Sequence, residues 1–426
     1  MRLNFFLELA MDTKSHTRRP VSAEEARRII SSICSPVKET EILPLEKALS
    51  RVLSKDALSP VNVPEANNSA MDGYAMRFQD LAEDGSGTLT QAGESFAGHP
   101  FLGELRPGEC IRIMTGAVVP ECCDTVIQQE IATAAGNKIT FQPGIAKGGN
   151  VRIKGEELSV GHSAICAGTR LTAPRIGLLA TLGIPEIEVY RKPRIAILAT
   201  GDELVQPGSV DALAFGQIFD ANSYSIAALA AQAGAEVSLR RLVKDDPDDL
   251  VSALNEAIRA DIIITSGGVS VGAADFTRFV AAQKGEIFDW EIPMRPGRPM
   301  AVGVVAGKPL FCLPGNPVAA AVTFLEYARP AIRQLGGESG DLSPVTLTAI
   351  AEGRFKKRPG RYEMQRGVFR INEKGEAVVK STGMQSSAML TSMCKGNCIV
   401  WLEKERETVM PGEKVQVQPF FGLLSD

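Results

Sequence analysis

The sequence predicts a multidomain α/β protein in which a doubly wound α/β unit carries the chemistry. Three observations lead there. Over residues 192–335 short apolar runs alternate with helical stretches, the pattern of βαβ units and a parallel sheet. Residues 65–149 and 336–426 are instead rich in short alternating strands broken by turn residues. A chain of 426 residues is also too long for a single ordinary core.

In order, Ser22-Ala-Glu-Glu25 is a capping box that opens a helix through about Ile33. An extended, proline-punctuated segment follows to about Pro64. Residues 65–149 read as a small β domain, with turns at Glu83–Gly87, Arg106–Glu109 and Ala135–Lys138. From Val151 to Arg191 the texture returns to that of the first segment. Pro174–Gly183 reads there as a helix with proline at its start and a glycine stop. The β domain is therefore expected as an insertion into an elongated N-terminal domain made of residues 21–64 and 150–191. In the α/β unit, Arg194–Thr200 and Asp261–Thr265 read as buried strands and Asn222–Ala233 as a helix stopped by Gly234. Asp246 caps a further helix, and Pro317–Leu335 reads as one long helix. The last segment, with strands near 345–351, 363–372, 377–381, 398–403 and 414–419, suggests a small barrel or sandwich.

Composition excludes several classes. There are 46 Lys and Arg against 50 Asp and Glu, so net charge gives no support to a nucleic-acid role. No apolar run approaches the ~20 residues that span a bilayer, so no membrane association is expected. Glu8 interrupts the short apolar start, which argues against a signal peptide. The eight Cys contain no C-x-x-C pair and read as reduced thiols of a cytoplasmic protein. Three His leave no credible zinc site or Ser/His/Asp triad.

The chemistry-bearing stretch is Asp261-Ile-Ile-Ile-Thr-Ser-Gly-Gly-Val-Ser-Val-Gly-Ala-Ala-Asp275. A buried strand ends in a glycine loop, Gly267 to Gly272, that can bring backbone N–H groups to an oxyanion. A carboxylate, Asp275, follows, and a carboxylate beside a phosphate site suggests a metal ion between them. Ala199-Thr-Gly-Asp-Glu203, Leu242-Val-Lys-Asp-Asp246 and Leu313-Pro-Gly-Asn-Pro317 end other strands. A doubly wound sheet would bring these ends to one rim. Glu203, Asp245 and Asp275 would then form a carboxylate cluster suited to Mg²⁺. Met294-Arg-Pro-Gly-Arg-Pro299 puts Arg295 and Arg298 on a rigid turn suited to oxyanion recognition. Further polar motifs are Ser69–Ala75, Arg112–Ala117, Pro359–Arg366 and Gly383–Ser387.

Taken together, SAMDGYA (69–75), RIMTGA (112–117), TGDEL (200–204), TSGGVSVG..D (265–275), RPGRP (295–299), LPGNPV (313–318) and GR.E.QRG (360–367) resemble the molybdopterin molybdenumtransferase family, the bacterial MoeA type that includes the gephyrin E domain. The resemblance spans residues 20–420. It implies an elongated, dimerising chain with an inserted β domain, a molybdopterin-binding α/β domain and a C-terminal β barrel. It also implies the last step of molybdenum cofactor synthesis. Adenylylated molybdopterin is cleaved, AMP leaves, and the co-substrate molybdate is inserted into the dithiolene with help from Mg²⁺ or another divalent cation.

By matching position, the resemblance gives Asp275 and Glu203 the metal and pyrophosphate region, with Asp245 nearby. Gly267, Gly268, Ser270 and Gly272 would cradle phosphate or pterin. Ser270, Arg295, Arg298 and Pro299 would line the molybdate pocket, with Arg361 and Ser387 as companions and Pro314 and Pro317 shaping it. Asp72 and Thr115 would reach the site of a second subunit in a homodimer. A molybdopterin adenylyltransferase or molybdoenzyme chaperones are expected as docking partners. The chain departs from the family pattern in having Arg295 and Arg298 where Lys is usual, Glu157 for Asp, and Glu291 for Lys. The alternatives implied are a non-catalytic molybdopterin-binding scaffold or a tungstate-specific paralogue.

Overall fold

The computed structural model describes residues 19–267, 285–288, 290–298 and 300–420. Gly268, Ser270, Gly272, Asp275 and Pro299, all expected at the site, lie outside these residues.

The helix Ala23–Ile33 begins as expected, with Ser22 Oγ accepting from the Glu25 N–H at 3.0 Å. Its buried face, Ala26 and Ile30, joins Ile332 and Leu335 in the core of the α/β unit. Beyond it the chain runs outward and later returns antiparallel to itself. Thr40–Pro44 pairs with Glu186–Tyr190, Ala57–Leu58 with Ser163–Ile165, and Asn68–Ser69 with Val151–Arg152. These paired outward and return runs carry the inserted β unit at their far end. That unit is a six-stranded sheet in the order 125–128, 73–76, 109–113, 87–95, 138–141, 132–135. Strand alternation gives it two apolar faces, Tyr74, Met76, Ile127 and Ile139 on one and Ala75, Ile111, Ile113 and Val126 on the other.

The α/β unit is a six-stranded sheet in the order Glu236–Val243, Arg194–Thr200, Ile262–Ser266, Lys308–Leu313, Ala301–Val305, Glu286–Ile287. The first four strands are parallel, whereas the last two add antiparallel edges. Residues of alternate parity face opposite layers. Ile195, Ile197, Ile262 and Ile264 pack under the helices at 23–33, 222–232 and 317–335, while Ala196, Leu198 and Ile263 pack under the helix Pro247–Ala257. The expected long helix is present, but its middle turn widens into a π turn at Phe324–Ala328. Pro330 is the reason: it has no N–H for the carbonyl four residues back and would clash with it in a regular helix.

The C-terminal segment is a five-stranded barrel of residues 347–351, 362–371, 377–381, 398–402 and 414–419. It is closed by pairing of 362–371 with 398–402. Its core is aliphatic, with Phe355 fully buried. Met294–Arg295 joins this barrel as a parallel strand, with Arg295 opposite Glu363. No helix among the described residues is long and apolar enough to cross a membrane.

Candidate functional site

The strand order explains where the site lies. From Arg194–Thr200 the chain first winds to one side, to 236–243, and then crosses to the other, to 262–266. The ends of 194–200 and 262–266 are therefore neighbours at the point where winding reverses, the place where open α/β sheets bind ligands. Two glycines there have the left-handed backbone that disfavours side chains. A Cβ on Gly267 (φ +86°) would lie 2.6 Å from the Thr200 carbonyl oxygen. A Cβ on Gly201 (φ +145°) would lie 2.4 Å from Glu203 Oε2. Glycine at 201 thus leaves the space that the Glu203 carboxylate occupies.

Asn222, at the start of its helix, ties this rim together. Its Nδ2 donates to Ser266 Oγ at 2.8 Å and to the Gly315 carbonyl at 2.7 Å, and Ser266 Oγ donates to the Pro314 carbonyl at 3.3 Å. Two buried atoms, Asn222 Oδ1 and Thr200 Oγ1, have no hydrogen-bond partner among the described residues. Unpaired buried polar atoms are costly, so these two make the rim a candidate place for a polar ligand. Pro317 opens the next helix, whose Val318 N–H donates to the Ser387 carbonyl at 3.0 Å. This brings Gly267, Pro314, Pro317 and Ser387 into one connected rim.

The carboxylates divide. Glu203 sits on the rim, and its backbone carbonyl accepts from Ile218 at 2.8 Å. The Asp245 N–H donates to Asp202 Oδ1 at 3.1 Å, so Asp202, which sequence reasoning passed over, is the carboxylate beside Asp245. No group of three His, Cys, Asp or Glu among the described residues is placed to hold a metal ion. Glu203, Asp202 and Asp245 are all exposed at this end of the sheet, but their carboxylates do not converge into one ligand set among the described residues.

A second feature is a cluster of arginines where the 294–298 turn meets the barrel. Arg298 Nε lies 2.5 Å from Glu291 Oε1. Arg295 Nη1 and Arg361 Nε lie 3.8 and 3.7 Å from Glu363 Oε1. Near Arg295 is Arg366, which lies in the polar motif 359–366 but was given no site role from sequence. It is only 1% exposed, and its Nε and Nη2 donate to Ser392 Oγ (3.0 Å) and the Ser386 carbonyl (2.9 Å). Among the described residues it has no carboxylate partner. Burial, and then the neighbouring Arg295, lower its pKa to about 10. It is still cationic at neutral pH. Its signal in the sequence was an arginine at an inward position of the strand predicted over 363–372.

Asp72 and Thr115 form a pair of their own in the inserted β unit. Asp72 Oδ1 accepts from both the Thr115 N–H (2.8 Å) and hydroxyl (2.7 Å). Those two bonds, backbone first, hold the Asp72 carboxyl below the usual carboxylate range. Glu157 is exposed, and its N–H donates to the Val63 carbonyl at 3.0 Å.

Comparison with known proteins matches three regions of the chain in order. Residues 21–183 match the MoeA N-terminal region (domain I and II), 196–334 a probable molybdopterin binding domain, and 348–420 the MoeA C-terminal region (domain IV). A molybdopterin molybdenumtransferase of Haemophilus influenzae is 42% identical over 388 residues, covering 91% of this chain and 95% of the relative. One from Nostoc is 34% identical, covering 94% and 96%. Among solved structures, a molybdopterin biosynthesis moeA protein from Pyrococcus horikoshii is similar with a TM-score of 0.80 and 26% identity, covering 94% of this chain and 100% of that one.

Proposed function

The chain belongs to the molybdopterin molybdenumtransferase (MoeA) family, and from that membership we infer that it is a transferase that inserts molybdenum in molybdenum cofactor biosynthesis. The observation that carries this is the full-length match, in order, to all three family regions, with 42% identity to a molybdenumtransferase. The alternative of a non-catalytic scaffold or a tungstate-specific paralogue is not favoured.

The residue assignments are our proposal. Adenylylated molybdopterin lies along the rim where strands 194–200 and 262–266 end. Gly267 lets this strand end pass close to the Thr200 carbonyl, and Asn222 Oδ1 and Thr200 Oγ1, without partners among the described residues, are offered to the ligand. Glu203 would hold a divalent cation there. When bound, Mg²⁺ supplies positive charge to the pyrophosphate oxygens. Asp275 and Ser270 are proposed for the same region. Cleaving the phosphoanhydride forms a new P–O bond to an oxygen of water or molybdate and yields AMP and molybdopterin phosphate; it mainly requires neutralising charge on the bridging and leaving oxygens, which a bound cation would supply. Molybdate, a tetrahedral dianion, is held by Arg295, Arg298 and Arg361, with Ser387 and the buried Arg366 behind them. Guanidinium forks suit oxyanions, and the sulfur ligands come from the substrate dithiolene.

We also propose a homodimer in which Asp72 and Thr115 of each subunit complete the other's site. The proposed domain limits are 21–64 with 150–191, 65–149, 192–335 and 336–426. A cytoplasmic location fits the eight free thiols. Docking to a molybdopterin adenylyltransferase or molybdoenzyme chaperones completes the proposal. Expression in a bacterial strain lacking its molybdenumtransferase tests the function: molybdoenzyme activity should return, and its failure to return with well-folded protein present would reject the assignment.

A further inference from the structure

Glu291 is the one departure in the arginine turn that reverses charge, and it has a defined place. It lies between buried Trp290 and Ile292, so strand alternation turns its side chain away from the core. Its backbone is fixed by parallel pairing of Trp290–Glu291 with Arg19–Pro20, and its carbonyl accepts from the Val21 N–H at 2.9 Å. From there its Oε1 meets Arg298 Nε at 2.5 Å, with the two side chains 27% and 68% exposed.

The other exposed arginines differ. Arg295 and Arg361 share Glu363 at 3.8 and 3.7 Å, beyond hydrogen-bond length, so their donors remain available to a ligand. Arg298 has its Nε committed. Three guanidinium groups, those of residues 295, 298 and 361, meet the two carboxylates Glu291 and Glu363.

We propose that Glu291 is an affinity-determining residue for the oxyanion: its carboxylate is a built-in counter-anion that occupies Arg298 and opposes the incoming dianion. This rests on reading the 294–298 turn as the oxyanion pocket. With Glu291 in place, a part of the Arg298 interaction goes to an internal partner. Exposed ion pairs contribute ~0.2–1 kcal/mol, so removing the charge should tighten oxyanion binding by about 1.4- to 5-fold.

The test is equilibrium binding of molybdate, and of sulfate as a second dianion, to the full-length protein at low salt. Glu291→Gln keeps an acceptor for Arg298 Nε but loses the charge. It should lower the Kd for molybdate by about 1.4- to 5-fold, and the gain should fade toward ~1 M salt, where screening is nearly complete. An unchanged or raised Kd overturns the counter-anion role. Arg298→Ala separates the two levels. If it weakens molybdate binding while Glu291→Gln does not tighten it, the pocket stands and the role of Glu291 falls. If Arg298→Ala leaves the Kd unchanged, the pocket reading falls and the proposal with it. In the Arg298→Ala background, Glu291→Gln should lose most of its effect.

Discussion

Thr115 donates both its backbone N–H and its hydroxyl to a single oxygen, Oδ1, of Asp72, at 2.8 and 2.7 Å. The arrangement fixes the carboxylate and keeps it ionised below its ordinary titration range. A rigid anion on the surface of the inserted β unit is of use when another molecule comes to it. In the proposed dimer that molecule is the substrate of the other subunit. Asp72→Asn and Glu203→Gln should each abolish turnover, and exchanging subunits between the two variants should restore activity. Mixed dimers that stay inactive, with exchange verified, would argue against a shared site.

The place for a cation can be tested apart from the anion pocket. Glu203 occupies space that Gly201 leaves open, so its carboxylate is positioned without help from the core. Glu203→Gln should raise the Kd for Mg²⁺, titrated by equilibrium binding in the presence of adenylylated molybdopterin, by about tenfold or more, as loss of one of a few carboxylate ligands predicts. The melting temperature should hardly move, because the group is exposed. An unaltered Mg²⁺ profile would remove Glu203 from the metal site.

Arg366 is a buried cation without a carboxylate partner among the described residues. Groups of this kind destabilise unless a ligand neutralises them. Arg366→Met should therefore leave folding stability near that of the parent, while the KM for molybdate rises by about tenfold or more, since charge-assisted hydrogen bonds are worth ~1.5–3 kcal/mol. Thermal unfolding and the dependence of rate on molybdate check both halves. A large loss of stability with normal KM would mean that Arg366 only braces the Ser386 loop.

Stability at low pH should depend on Asp261. Burial alone would raise its pKa, but a bidentate Arg191 (2.6 and 3.1 Å), the Arg194 N–H (2.8 Å) and Lys308 reverse that and hold it below the usual range. A lowered folded-state pKa gives stability that is present above the unfolded value of about 3.9 and lost as pH falls below it. Asp261→Asn should cost about 3 kcal/mol at pH 7, as expected when one partner of a buried pair is removed. Denaturant titrations at pH 7 and pH 3 check this: the gap between parent and variant should shrink at the lower pH.

The parts legible in the sequence are those set by short-range pattern. Apolar runs mark the strands Arg194–Thr200 and Ile262–Ser266. Ser22 and Asp246 cap their helices as their spacing predicts, with Asp246 accepting from the Asp248 and Asp249 N–H groups. The antiparallel edge was not legible, because its hairpin turns on Ala306-Gly307, both at positive φ, without the Asn-Gly or Asp-Gly signature of such turns. Asn222 could not be recognised as the link between Ser266 and Gly315, since that depends on strand order rather than spacing. Arg366 was obscured for a related reason: only barrel closure buries it. The pairing of Arg298 with Glu291 joins two substitutions that look unrelated along the chain.

The most direct measurement of the central claim is a reconstitution with purified protein, adenylylated molybdopterin, Mg²⁺ and molybdate, following AMP and metal-loaded cofactor together. The account predicts that AMP and molybdenum cofactor form in equal amounts, that both require molybdate and Mg²⁺, and that Glu203→Gln suppresses both. Folded protein that binds adenylylated molybdopterin but releases neither product would contradict it.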